Sequence, residues 1–321
     1  MNTKTLNCDL IEAIKGSLPA NAHLSNVLID ILDIGKEAVY RRLRSEVPFT
    51  FAEASVISKS LGISLDHISS VSTDKVAMFD LHIMKNEDPF ETYYRAMKDL
   101  LHYYATAKDD PSAEWYTASN IVPHAFYMDH DYLSKFLLYK WMYQQQGSAM
   151  NMKYYRDLEV PDKIRRLQMD YVDITKSIAS STFIWDEMMF LSLINELRYF
   201  SHINLITDKE KNLLKEEILM MIDILEDLAA KGEHENGKKV YFYVSSINFE
   251  ATYSYLQANV MRLSTIRLYS INTISTTDWN VFEYHKNWIQ SLKKYSTLIS
   301  MSGEMQRVQF LKKQRSYVNE L

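Results

Sequence analysis

Lys36, Arg41, Arg42 and Arg44 lie close together with a single acid, Glu37, among them, so residues 35–44 carry four cations against one anion, a local charge of +3. Val39 and Leu43 are four residues apart in the same stretch. A helix over KEAVYRRLR turns these two inward and presents Lys36, Glu37, Tyr40, Arg41 and Arg44 on the opposite side. That set suits nucleic acid. A helix lying in the major groove puts its N-terminal residues against base edges, which makes Lys36, Glu37 and Tyr40 the candidate readers. The forked guanidinium of Arg41 or Arg44 matches guanine edges and phosphates alike. Arg42 lies nearer the packing side, suited to a phosphate or a neighbouring carboxylate.

Other groupings carry less chemistry. HAFYMDHD brings His124, Asp129, His130 and Asp131 together in the chain, and a divalent metal is conceivable there. The spacing matches no helical or strand ligand pair, however, and helix capping by Asp129 or Asp131 is simpler. Ser291 and Lys294 form an S-x-x-K match without the elements that accompany it in penicillin-binding enzymes. Glu233–Asn236 reads as an exposed polar loop. Cys8, the only cysteine, has no implied histidine partner. With no glycine-rich phosphate loop, nucleophile elbow or H-E-x-x-H, the sequence supplies no catalytic residue, cofactor or metal ligand, and a non-enzyme is expected.

The elements around the cationic stretch are legible. Leu28, Ile31 and Leu32 form an i, i+3, i+4 stripe in LIDIL, and Ile34 can plug a turn at Asp33-Ile34-Gly35 into a core. Asp33 tolerates the left-handed backbone and Gly35 serves as a helix cap. Thr50 and Glu53 make a T-x-x-E capping box for a following helix, with Phe51, Ala54, Ile57 and Leu61 as its inner face and Gly62 as its end. In this order of pieces, closing on FTFAEASVISKSLGISLDHI, residues 24–69 resemble the XRE (Cro/λ-repressor-like) helix-turn-helix family of bacterial transcriptional regulators. The resemblance implies a λ-repressor-like helical bundle over residues 1–72, a recognition helix over KEAVYRRLR and double-stranded DNA as partner. Residues 1–73 hold seven Lys and Arg against eight Asp and Glu, so the positive charge is confined to the proposed reading helix. Two weak half-sites in a homodimer would add their phosphate contacts.

For the remainder, residues 75–321, composition gives bounds. The chain of 321 residues suits two or three domains, and its 47% hydrophobic content supports packed cores. A formal charge of −5 excludes indiscriminate coating of nucleic acid. The absence of a signal-like segment, of any membrane-spanning run and of a second cysteine predicts a soluble cytoplasmic protein. Seven Gly and six Pro argue for long helices, and residues 75–235 are read as helical. They include a buried face from Phe90 to Tyr104, extended pieces within EWYTASNIVPHAFYM, helices near 162–179 and 183–204, and a helix from a Thr207–Glu210 capping box to Gly232. KVYFYVSSI, YSYLQANV and STIRLYSINTIST read as three antiparallel strands over about 239–276. Helices return over 278–319, broken at SMSG. Residues 286–321 carry seven Lys and Arg against two Glu. Their apolar residues (Trp288, Leu292, Leu298, Ile299, Val308, Phe310 and Leu311) demand burial, which favours a docked helix pair over a second nucleic-acid contact.

The expected fold is therefore mainly α: the helical bundle, then an α-rich α+β domain with a small antiparallel sheet. The expected function is a sequence-specific, homodimeric DNA-binding regulator. Its second region would dimerise and accept a small-molecule effector in a pocket between the sheet and its helices. The alternative is a helical interaction adaptor that has lost DNA contact.

Overall fold

The structure, a computed structural model, describes residues 3–18, 23–61, 63, 65, 68, 77, 79–82, 88–144, 152–259, 261–269 and 271–321. The chain divides into two compact units, Met1–Met78 and Phe79–Leu321.

The first unit contains helices α1 (Thr3–Ser17), α2 (Leu24–Leu32), α3 (Lys36–Leu43) and α4 (Phe51–Leu61). Leu10, Ile14, Leu28, Val39 and Ile57, one or two from each helix, form its core, with Ile31, Leu32, Ile34, Leu43, Ala54 and Leu61 packed around them. The turn between α2 and α3 closes as Asp33 takes φ 50° and donates its N–H to the Ile29 carbonyl at 2.9 Å, and Gly35 caps α3. Thr50 and Glu53 exchange both hydrogen bonds of a capping box at 2.8 and 3.2 Å. Phe51 departs from expectation. It is 84% exposed, because Cα–Cβ bonds tilt towards the helix N-terminus and carry the first side chain of α4 past the core. Gly62, expected to end α4, lies outside the described residues.

The second unit is built on one eight-stranded sheet of order β1-β7-β6-β5-β2-β3-β4-β8. In chain order its elements are β1 (Asp80–His82), α5 (Pro89–Ala107), β2 (Glu114–Ser119), α6 (His124–Tyr127), α7 (Asp131–Gln144), α8 (Asp162–Thr175), β3 (Ser180–Asp186), α9 (Met189–His202), α10 (Asp208–Lys231), β4 (Lys239–Ser245), β5 (Thr252–Ala258), β6 (Met261–Tyr269), β7 (Asn272–Thr276), α11 (Trp279–Ser291), β8 (Ser296–Leu298) and α12 (Glu304–Asn319). The expected small antiparallel sheet is thus corrected to a large mixed one, in which β2, β3 and β4 run parallel and the other pairings are antiparallel.

The reasons are local. SSTFIWD is β3, not the start of a helix over 183–204; its residues from Ser181 onward are all buried. A strand covered on both faces loses the polar alternation that separates strand from helix. KVYFYVS pairs with β3 and β8 instead of the next strand in the chain, and STIRLYSINTIST contributes to two strands. The helix from Thr207 to Gly232 forms as expected, with both capping-box bonds present and Gly232 left-handed.

One sheet face packs under the helical layer in the main core, through Trp115, Phe183, Trp185, Val240, Phe242, Leu256 and Leu263. The other carries a smaller core with Phe282, Ile289 and Leu292 of the α11 segment. The basic C-terminal helix is docked: Phe310, Leu311 and Val318 are buried, Arg315 pairs with Asp223 at 2.7 Å, and Lys313 pairs with Glu187 at 2.9 Å. Trp288 and Val308, expected inside, stay substantially exposed at the edges of this packing. Among the described residues no helix is long and apolar enough to cross a membrane.

Candidate nucleic-acid interface and a cationic cavity

Val39, fully buried, fixes the rotation of α3, and its exposed face carries Lys36, Glu37, Tyr40, Arg41 and Arg44. Tyr40 is 37% exposed. Arg42 turns inward and latches α3 to α4 by a two-pronged pair with Glu53, Nε to Oε2 at 3.0 Å and Nη2 to Oε1 at 2.6 Å. Partial burial would raise the Glu53 pKa, but hydrogen bonds from Arg42 and Thr50 outweigh it and hold the carboxyl below the usual glutamate value. Asn7 secures the far end of α3. Its Nδ2 donates to the Arg42 carbonyl at 3.2 Å and to Ser45 Oγ at 2.9 Å, and its Oδ1 accepts from the Phe49 N–H at 2.9 Å.

All five residues expected to face DNA therefore share one surface, but a carboxylate joins them that sequence reasoning omitted. Glu46 lies 3.1 Å from Arg44 Nε and 3.7 Å from Arg41 Nε, and Glu37 lies 3.2 Å from Arg44 Nη2. Lys36 Nζ stands 5.8 Å from the centre of the Tyr40 ring. These pairs are well exposed. Such contacts contribute about 0–1 kcal/mol, so a phosphate can displace them.

The second unit holds a different arrangement. Along the helix-covered face of β2, β5, β6 and β7, an apolar row, Trp115–Leu256–Leu263, is followed by a polar one, Thr117–Ser254–Thr265–Ser275. Beyond it lies a second polar row in which Thr252 pairs with Arg267 and Arg267 with Thr273, while Ser119 Oγ lies 3.2 Å from Thr252 Oγ1. An inner sheet face that turns polar forgoes apolar burial over two rows. The space above these rows is a cavity of about 40 Å³ lined by Arg267, His124, Tyr104, Tyr171 and hydroxyls of the strands. That is room for a few atoms, above the minimum for one water.

Arg267 makes no hydrogen bond or ion pair with the described residues. Burial pulls its pKa below the ordinary guanidinium value, and the groups that act on it in compensation are the phenols of Tyr127, Tyr171, Tyr104 and Tyr93, with no carboxylate among them. His124 is only 5% exposed, and its Nε2 is buried without a hydrogen-bond partner. Burial, and then the charge of Arg267, hold this imidazole neutral, its pKa well below the ordinary histidine value. Burial also pushes Tyr171 up to about 12. Arg267 as a whole is half-buried, and a cation partly withdrawn from water without a counter-ion among the described residues costs stability. Polar residues at every second position of WYTAS, TYSYL and STIRL were the available signal for this site. Those runs read only as β-branched and aromatic strands.

A larger cleft of about 730 Å³, which shares Trp115 with this cavity, is lined by Trp115, Phe126 and Phe183 and by Asp129, His130, Lys176 and His234. Burial, with Lys176 adding to it, lowers His234 to about 4. The residues weighed as a metal cluster do not converge. His124 lines the cationic cavity, Asp131 pairs with Arg165 at 2.7 Å, and Asp129 and His130, 3.9 Å apart, line the cleft. Among the described residues no group of three or more His, Cys, Asp or Glu side chains is arranged to hold a metal ion.

Comparison with protein families, with curated proteins and with solved structures finds no match to this chain.

Proposed function

We infer that this chain is a sequence-specific DNA-binding regulator that works as a homodimer, with α3 as its reading helix. The observation that carries the reading is the exposed face of Lys36, Glu37, Tyr40, Arg41 and Arg44 on a helix whose opposite side is anchored by Val39 and the Arg42–Glu53 pair. The preceding left-handed turn at Asp33 and the resemblance to XRE regulators support it as well. In this reading α3 enters the major groove with Lys36, Glu37 and Tyr40 at base edges. Arg41 and Arg44 exchange Glu46 and Glu37 for phosphate oxygens. The second unit joins two copies and binds a small-molecule effector. The effector shifts DNA affinity only as far as it prefers one arrangement of the two reading heads. Cytoplasmic action follows from the same reading, as does the absence of catalysis.

Selection of bound duplexes from a random double-stranded pool by the full-length chain tests this. A recurrent site of two related half-sites, spaced by about one helical turn, is expected. A pool no more enriched than with a Lys36→Ala/Tyr40→Ala variant would oppose it.

One observation favours a second reading. Glu37 and Glu46 already engage both outward arginines, and Phe51 protrudes from the same unit. An adaptor that docks this surface on another protein would have both features, and it would give no enriched site in the selection.

A further inference from the structure

The cavity around Arg267 has a chemistry that narrows what it can hold. Among the described residues that line it, the one permanent charge is the Arg267 guanidinium, which has no hydrogen-bond or ion-pair partner among them. Glu196, the acid among the described residues that line the adjoining space, is taken up by Lys140 at 2.8 Å. Thr265 and Thr273 line the cavity with hydroxyl groups, while Thr117 and Ser254 bond each other at 3.0 Å and Thr252 donates to Asn120 Oδ1 at 3.1 Å; Tyr104 and Tyr171 line it from the helical side. A guanidinium fork and hydroxyl donors together bind an oxyanion.

Charge number and shape decide which oxyanion. A phosphate dianion needs more than one cation, and the other titratable base at the site, His124, is buried, unpartnered at Nε2 and neutral by burial. One guanidinium balances one negative charge. Two small volumes adjoin the cavity through shared lining residues. A neighbouring volume of about 30 Å³, lined by Met97, Leu100, Trp141 and Ile271, shares His124 and Thr273 with the cavity. Another of about 30 Å³, lined by Val122, Met189, Leu193 and Ile271, shares Arg267. An apolar chain a few atoms long fits such spaces, and a bulky or strongly polar group does not.

We propose that this cavity binds a short-chain monocarboxylate, with its carboxylate on Arg267 and the hydroxyls of Thr265 and Thr273, and its hydrocarbon chain towards Met97, Trp141 and Ile271. His124 Nε2 borders the head group and accepts a proton donor there, a bridging water or a hydroxyl on the carbon next to the carboxylate. Branching is disfavoured by the narrowness of the volumes.

The proposal gives identity to the effector in the function inferred above, and rests on that reading only for its regulatory meaning. It is tested on the full-length chain by calorimetric titration and thermal unfolding with acetate, butyrate, hexanoate, neutral butyramide and inorganic phosphate, at constant ionic strength. Saturable binding of butyrate and hexanoate is expected, tightening about fourfold per methylene until the apolar space is filled. Butyramide should bind at least about tenfold more weakly because it carries no negative charge for the fork, and phosphate likewise because it is strongly hydrated and has no hydrocarbon chain for the apolar space. Arg267→Met should abolish the response while unfolding, without ligand, at about the parent temperature, because the charge removed is half-buried and has no counter-ion among the described residues. No saturable carboxylate binding, equal binding of butyramide, preference for phosphate, or an unaltered response in Arg267→Met would each overturn the proposal. Should Arg267→Met fail to fold, Thr273→Val answers the question: butyrate weakened about fivefold sustains it, and unchanged affinity overturns it. Carboxylate binding that leaves DNA affinity unaltered keeps the site and removes its regulatory role. Absence of binding removes the site and leaves DNA recognition standing.

Discussion

Arg41 and Arg44 set the strength of the proposed DNA contact, and Glu46 competes for both of them. Each exposed pair is weak, yet both must be exchanged before the arginines reach phosphate, so Glu46 acts as a built-in counter-anion. Glu46→Gln is expected to tighten binding to a selected duplex about three- to tenfold, read by fluorescence polarisation at low salt, through relief of two exchanges and one repelled carboxylate. Affinity unchanged or reduced would show that Glu46 does not face the duplex. The inward role of Arg42 was legible because Val39 and Leu43 fixed which side of the helix packs, and Glu53 was already marked by its capping box. Asn7 and Arg267 were not legible. Asn7 acts on residues 42–49 and Arg267 on residues as far back in the chain as Tyr171, Tyr127, Tyr104 and Tyr93, and neither separation leaves a local pattern.

At the scale of elements, the termini of helices were readable and the identity of buried strands was not. The break at SMSG and the stop at Gly232 are written in residues whose backbone needs are local. Gly232 and Gly303 both adopt positive φ, 71° and 76°. They differ in what a side chain would meet. A Cβ at Gly303 would run into the Leu298 carbonyl oxygen, which is backbone, whereas at Gly232 it meets Cγ and Sδ of the exposed Met301 side chain, which can change rotamer. Urea unfolding of the full chain should show Gly232→Ala destabilised by about 1–2 kcal/mol and Gly303→Ala by clearly more, about 3 kcal/mol or above. Equal losses would mean that the loop before α12 shifts freely. Strand β3 resisted reading for the opposite reason: buried on both sides, its residues carry no alternation, and only its parallel partners β2 and β4 identify it.

At the scale of the molecule, the two units have separate cores and titrate differently. His234 and His285 in the second unit are both lowered to about 4 from an ordinary 6.5, by burial first in each case. A histidine with a depressed folded pKa takes up its proton more readily when unfolded, so its contribution is full at neutral pH and declines as pH falls from about 6.5 towards 4. Glu53 in the first unit has its folded pKa lowered, so its contribution is present above the ordinary glutamate value and lost as pH falls below that range. Calorimetry between pH 8 and pH 4 should therefore show the transition of the second unit moving down first, from about pH 6.5, with that of the first unit following at lower pH. A second-unit transition unmoved between pH 7 and pH 5 would contradict the burial of these histidines.

The most direct test of DNA recognition by α3 is the salt dependence of binding to a selected duplex, for the full-length chain beside Tyr40→Ala and Arg44→Ala. The account predicts a steep linear fall of log affinity with log salt. Arg44→Ala should reduce the slope by about one unit per reading head, and Tyr40→Ala should leave the slope nearly intact while erasing preference for the selected site over a scrambled one. Equal affinity for both duplexes in the parent chain, or a slope and preference unmoved in both variants, would contradict it.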